Sequence, residues 1–174
     1  MSKYIYVLSL VIIFLASCSL RKVSNTLTSK HVYENFYVGE NGNQWYLYPI
    51  KFKNKTTHFL LDYTLRDNVK DTVVVKYSII TKEQLSKPKS IVFNLKGDKK
   101  YDFDTGEKIY VETDDRVLHL RYTSIMSYED FKTFFLTVES IAIDGIDDPV
   151  IPAKATIKKF DEINRQVISI IDNY

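Results

Sequence analysis

The sequence is poor in the residues that usually announce a chemistry. Its one cysteine, Cys18, excludes an intramolecular disulfide framework and any cysteine-rich zinc site. Five glycines and four prolines exclude collagen-like and low-complexity character, and no glycine-rich phosphate loop or dinucleotide fingerprint is present. Charge of one sign is lacking as well. The 24 basic and 22 acidic side chains leave a formal +2, which gives no global pull toward nucleic acid. What the chain does have is 174 residues, 45% of them apolar, enough for one globular domain. Thirteen tyrosines and ten phenylalanines suit strands better than a helical bundle.

The one long apolar run is at the start. Lys3 is a small positive region, and from Tyr4 to Leu15 only Ser9 is neither apolar nor aromatic. As a helix that run spans about 18 Å, short of the roughly 30 Å of a bilayer core. A charged start, a short apolar stretch and small residues at its end describe a secretory signal. The end reads Leu15-Ala16-Ser17-Cys18. This resembles the lipobox of bacterial lipoprotein precursors: an aliphatic residue, two small residues, then cysteine. The resemblance covers only these eighteen residues. It implies cleavage before Cys18, a diacylglyceryl thioether on the Cys18 sulfur and an acylated amine, with chains such as palmitate. The division that follows is a signal peptide over 1–17, a lipidated Cys18 with a polar tether over 18–29, and one β-rich domain over 30–174. The expected place is the cell envelope, with the membrane as a partner through the lipid. Ser19 is not the aspartate of the best-known inner-membrane retention rule, so an outer membrane, facing the periplasm, is expected if there are two membranes.

Beyond the tether, period-two alternation dominates. Phe59, Leu61, Tyr63 and Leu65 share one face of a strand; Val73, Val75, Tyr77 and Ile79 share another. Tyr46, Tyr48, Ile50 and Phe52 form a third set, Ile91, Phe93 and Leu95 a fourth, and Leu118, Leu120 and Tyr122 a fifth. Each reads as a strand with one face on a core. Asn41-Gly42 suits a type I′ turn, Asp67-Asn68 and Asp114-Asp115 break strands, and Asp104-Thr105-Gly106 suits a hairpin joining Tyr101–Phe103 to Ile109–Val111. The predicted fold is mainly β (α+β): an antiparallel meander or sandwich carrying one short helix and an amphipathic C-terminal helix. Ser127 is placed to cap the short helix, Tyr128–Phe135. In the second, Ile157, Phe160, Ile163, Val167, Ile168, Ile170 and Ile171 form the apolar face, with Pro152 near its start.

No residue pattern assembles a catalytic site. His31, His58 and His119 fall in different strands, with no metal-ligand spacing between them. A lipidated Cys18 has no thiol to offer as a nucleophile. A Ser–His–Asp triad is recognised by geometry, and here the serines are scattered with no G-x-S-x-G. Asp98, Asp102, Asp104 and Glu107 surround a turn, but an EF-hand counted from Asp102 would need an acid where Thr113 stands. Asp144, Asp147 and Asp148 form a second acidic loop of ordinary turn composition. Tyr46, Tyr48, Tyr101 and Tyr110 are the candidates for a sugar platform, although most are expected on core faces. Asp71-Thr72-Val73 resembles the sequence at which some anaerobic Gram-negative bacteria attach O-glycans to exported proteins, which would make Thr72 an acceptor.

The expectation is a membrane-anchored envelope lipoprotein acting as a non-enzymatic binding or structural module. Its partner would be an envelope protein or a glycan, and no cofactor, metal or nucleic acid is called for. The alternative is an envelope hydrolase whose site is assembled only in the fold.

Overall fold

The computed structural model describes residues 32–169 and Asp172. The signal segment, Cys18, the tether, His31, Ile170 and Ile171 lie outside the described residues. Strands β1 (Tyr33–Tyr37), β2 (Asn43–Lys53), β3 (Thr57–Arg66) and β4 (Val69–Thr81) run as a meander. On the far side of β4 the sheet continues with β8 (Val117–Ser127) and ends at β7 (Glu107–Asp114). The two-residue β10 (Ile151–Pro152) pairs with the end of β2 that β1 leaves free. A second sheet has the order β6 (Lys99–Phe103), β5 (Ile91–Leu95), β9 (Val138–Ile143). All pairings are antiparallel.

One face of the large sheet is covered by the second sheet and by helices α1 (Tyr128–Thr137) and α2 (Lys154–Ile163). The predicted apolar sets of β3, β4, β5 and β8 all point into this core. Aromatic rings join the layers. Tyr77 of the large sheet meets Phe103 of the small one edge-on at 5.7 Å, and Phe134 of α1 lies 4.8 Å from Phe93 and 6.1 Å from Phe52. Ser127 caps α1 as its sequence position indicates, its Oγ accepting from Asp130 N at 3.0 Å.

Several expectations are corrected. On β2 the core residues are Trp45, Leu47, Ile50 and Phe52, because a bulge between Leu47 and Ile50 shifts the alternation. Tyr46 and Tyr48 therefore face away from the core. Asp104-Thr105-Gly106 does not close a hairpin: β6 and β7 belong to different sheets, and this segment crosses between them. The crossing is held by Tyr77, whose hydroxyl donates to Thr105 O at 2.6 Å, and by close approach to β8. Gly106 has φ +62, and a Cβ there would lie 2.0 Å from Thr123 O, so glycine is required. The β1–β2 connection is a longer loop with a 3-10 turn at Gly39–Asn41 in place of a type I′ pair. The two successive positive φ values of a type I′ turn occur instead at Asp115 and Arg116. The C-terminal helix starts at Lys154, after Pro152 has paired with Phe52. Its inner face holds Thr156, Phe160 and Ile163, with Val167 and Ile168 following in π-helical turns, whereas Ile157 is 53% exposed. Thr156 Oγ1 donates to Lys51 O at 2.7 Å, which sets the helix rotation and turns Ile157 outward.

Candidate functional site

The helices and the small sheet cover only one face of the large sheet. Among the described residues no helix or second sheet covers the other face, here called the open face, and register gives its layout in rows across the strands. The first row is Glu34, Tyr46, Thr64, Val74 and Ile125; the next holds Asp62, Lys76, Thr123 and Glu107. Below them run Lys51, Leu60, Ser78, Arg121 and Tyr110, then Lys53, His58, Ile80, His119 and Glu112. Apolar and aromatic side chains are interleaved with charges, and Ile125 and Tyr110 are among the most exposed large apolar residues of the domain.

At the centre Arg121 reaches across β4. Its Nη2 donates to Asp62 Oδ2 at 2.7 Å and its Nη1 to Ser78 Oγ at 2.7 Å. The Asp62 side chain is 1% exposed and that of Arg121 24%, so a carboxylate is buried on the side of the sheet that faces solvent. Among the described residues Asp62 Oδ1 has no hydrogen-bond partner. Beside this pair Tyr48 donates to Glu34 Oε1 at 2.6 Å. That bond holds the Tyr48 proton and raises its pKa. Tyr46 is also raised, first by burial and then by the Asp62 charge. His58 is shifted the other way: burial lowers it, and Lys51 and Lys53 lower it further. Together these make a hydrogen-bonded polar centre between aromatic and aliphatic surroundings.

A separate cleft of about 330 Å³ opens beside α1. Its floor is Phe93, Leu95 and Phe134, and Lys99, Tyr101 and Asp130 stand at its rim. Asp130 is already committed to the helix cap through Ser127.

The structure separates most residues that the sequence groups together. Asp98 lies in the β5–β6 turn with φ 58, Asp102 on β6, and Glu107 on β7 in the other sheet. Asp104 Oδ1 accepts from Gly106 N at 3.0 Å, and Asp144 Oδ2 accepts from Lys89 N at 3.2 Å, which is turn chemistry in both loops. Among the described residues no three His, Cys, Asp or Glu side chains come together as metal ligands. His58 and His119 do share the open face, two strands apart with Ile80 between them. Tyr46, Tyr48 and Tyr110 come to that face too, whereas Tyr101 lines the cleft. Thr72 is half-buried in β4 opposite Ser127, on the open face; β4 starts at Val69, so Thr72 lies three residues inside the strand and not at its start beside the Asp67–Lys70 stretch expected as a loop. Sequence reasoning missed Asp62, Ser78 and Arg121. The available signal was a charge at an interior strand position on each of β3 and β8. No protein family, curated protein or solved structure is matched by the chain.

Proposed function

We propose that the chain is a lipid-anchored protein of the cell envelope, held by acyl chains on Cys18, that works as a non-enzymatic binding module through the open face of its large sheet. The observation that carries this reading is that face: six paired strands with an immobilised Arg121–Asp62–Ser78 centre, ringed by Tyr46, Tyr48, Tyr110 and Ile125. Binding is favoured over hydrolysis because Ser78, one row from both histidines, is held by Arg121 and not by an imidazole. The partner is a protein or glycan of the envelope. An O-glycan on Thr72 belongs to the same reading, and Thr72→Ala should remove any mass beyond the lipid.

Two measurements test it. The N-terminal peptide of native protein should begin at Cys18 and carry two or three acyl chains. A photo-crosslinker at Ile125 in living cells should give one dominant adduct, reduced at least tenfold by Tyr46→Ala with Tyr110→Ala. An unmodified Met1 peptide refutes the anchor; adducts no stronger than those from a probe at Asp144 refute the binding face.

A further inference from the structure

The β10–β2 pairing brings two stretches of chain side by side, residues 49–59 and 151–160. Together they contain six lysines, Lys51, Lys53, Lys55, Lys154, Lys158 and Lys159, and no carboxylate. The contact is tight: Ala153 N donates to Lys51 O at 3.1 Å, Thr156 Oγ1 to the same oxygen at 2.7 Å, and Lys159 Nζ to Pro49 O at 3.4 Å. Two aliphatic side chains stand in solvent within this lysine field, Ile151 at 57% and Ile157 at 53% exposure. Glu83 meets Thr56 Oγ1 and Asp148 comes to Asn54 at the border of this field, where the six lysines outnumber them. Exposed isoleucines among an excess of lysines form the pattern that lies on an anionic bilayer. The aliphatic tips enter the headgroup boundary while the ammonium groups meet phosphates. The far edge of the sheet has the opposite character. Residues 107–116, on β7 and its turn, carry Glu107, Glu112, Asp114 and Asp115 against Lys108 and Arg116.

The position of the N-terminus adds a second argument. The described chain begins at Val32, whose carbonyl accepts from Tyr48 N at 2.9 Å, one residue before Pro49 and on the same edge as the lysines. Thirteen residues separate Cys18 from Val32. They reach at most about 50 Å, so an anchor on Cys18 keeps this edge within reach of the membrane. We infer that the corner formed by β2, β10 and the start of α2 docks on anionic phospholipid headgroups. The domain then stands with its basic edge on the bilayer and β7 pointing away. The orientation rests on the lipid-anchor reading; the lipid affinity of the corner does not.

The test uses the mature chain in two forms. The lipidated protein is placed in vesicles of phosphatidylcholine alone or with one quarter phosphatidylglycerol, and its lysines are acylated and read by mass spectrometry. Lys154 and Lys158 should react several-fold more slowly in the anionic vesicles, recovering at 0.5 M salt, while Lys108 on β7 stays unchanged. Equal rates in the two vesicles overturn the docking and leave the patch to a protein partner. The second form starts at residue 18 with Cys18→Ser and is co-sedimented with the same vesicles. Salt-sensitive binding to the anionic ones is expected. Lys154→Gln with Lys158→Gln should weaken it about thirtyfold, and both positions are exposed enough to leave the fold intact. No binding of this form to anionic vesicles overturns the corner's lipid affinity, whatever the anchor does. Binding by this form from a protein whose native Cys18 carries no lipid overturns only the anchor.

Discussion

Asp62 is a carboxylate at 1% exposure on the solvent side of a sheet, and only its neighbours make that affordable. Arg121 supplies one charge-assisted bond, and Ser78 fixes the other arm of the guanidinium. Removing one partner strands the other. Asp62→Ala should cost about 2–3 kcal/mol, less than for a fully buried pair because Arg121 keeps some access to water. Replacing both, Asp62→Leu with Arg121→Met, should cost clearly less than the sum of the single changes, which a denaturant double-mutant cycle measures. Additive losses would mean that the pair contributes nothing as a pair. His58 gives a pH signature. Burial, with Lys51 and Lys53, depresses its pKa below the ordinary 6.5. The unfolded chain therefore takes up the proton first as pH falls through 6.5. His58 contributes stability above that value and loses it below. Melting temperature should drop between pH 7.5 and 5.5, and His58→Asn should flatten part of that slope.

At the scale of elements, β7 is an edge strand whose eight residues are all exposed, with Ile109, Tyr110 and Val111 at its middle. Such an edge invites pairing with another chain. Two features oppose it: the bulge between Lys108 and Tyr110, and the charges Lys108 and Glu112 on either side of the apolar middle. Lys108→Val with Glu112→Val should therefore raise the apparent mass in light scattering as concentration rises, while the parent shows a smaller change. Elements like this also show what could be read from sequence. Strands β3, β4, β5 and β8 were legible because their alternation is unbroken over several pairs. Strand β2 was legible as a strand but misassigned in its first half, since a bulge reverses the facing of every residue before it and leaves no mark in composition. Strands β1, β9 and β10 escaped because they are short or depend on partners far away in sequence. The Asp104–Gly106 segment has hairpin residues, yet where it leads is decided by tertiary packing against Thr123. The polar centre was legible only as a charge inside each of β3 and β8: Asp62, Ser78 and Arg121 come from three strands, and only register brings them together.

At the scale of the whole molecule, Phe134 is where the layers converge. Its ring lies 4.8 Å from Phe93 of the small sheet, 6.1 and 6.2 Å from Phe52 and Tyr63 of the large one, and 6.2 Å from Phe160 of α2. Both sheets and both helices therefore share one apolar contact, and neither sheet has a core of its own. The chain also passes from one sheet to the other at Val150, which bridges Ile141 of β9, and Ile151, which pairs with Lys53 of β2. A fold connected in this way should unfold as one unit. Phe134→Ala removes a side chain that is 2% exposed and should cost about 3–5 kcal/mol, a large part of the roughly 5–15 kcal/mol of a typical domain. The decisive measurement is hydrogen exchange in this variant. Amides of β9 in the small sheet and of β3 in the large one should lose protection together and by the same factor, because the slowest exchange in each reports the same global opening. If β9 exchanges faster while β3 keeps its protection, the small sheet is a separate unit, and Phe134 belongs to that unit alone.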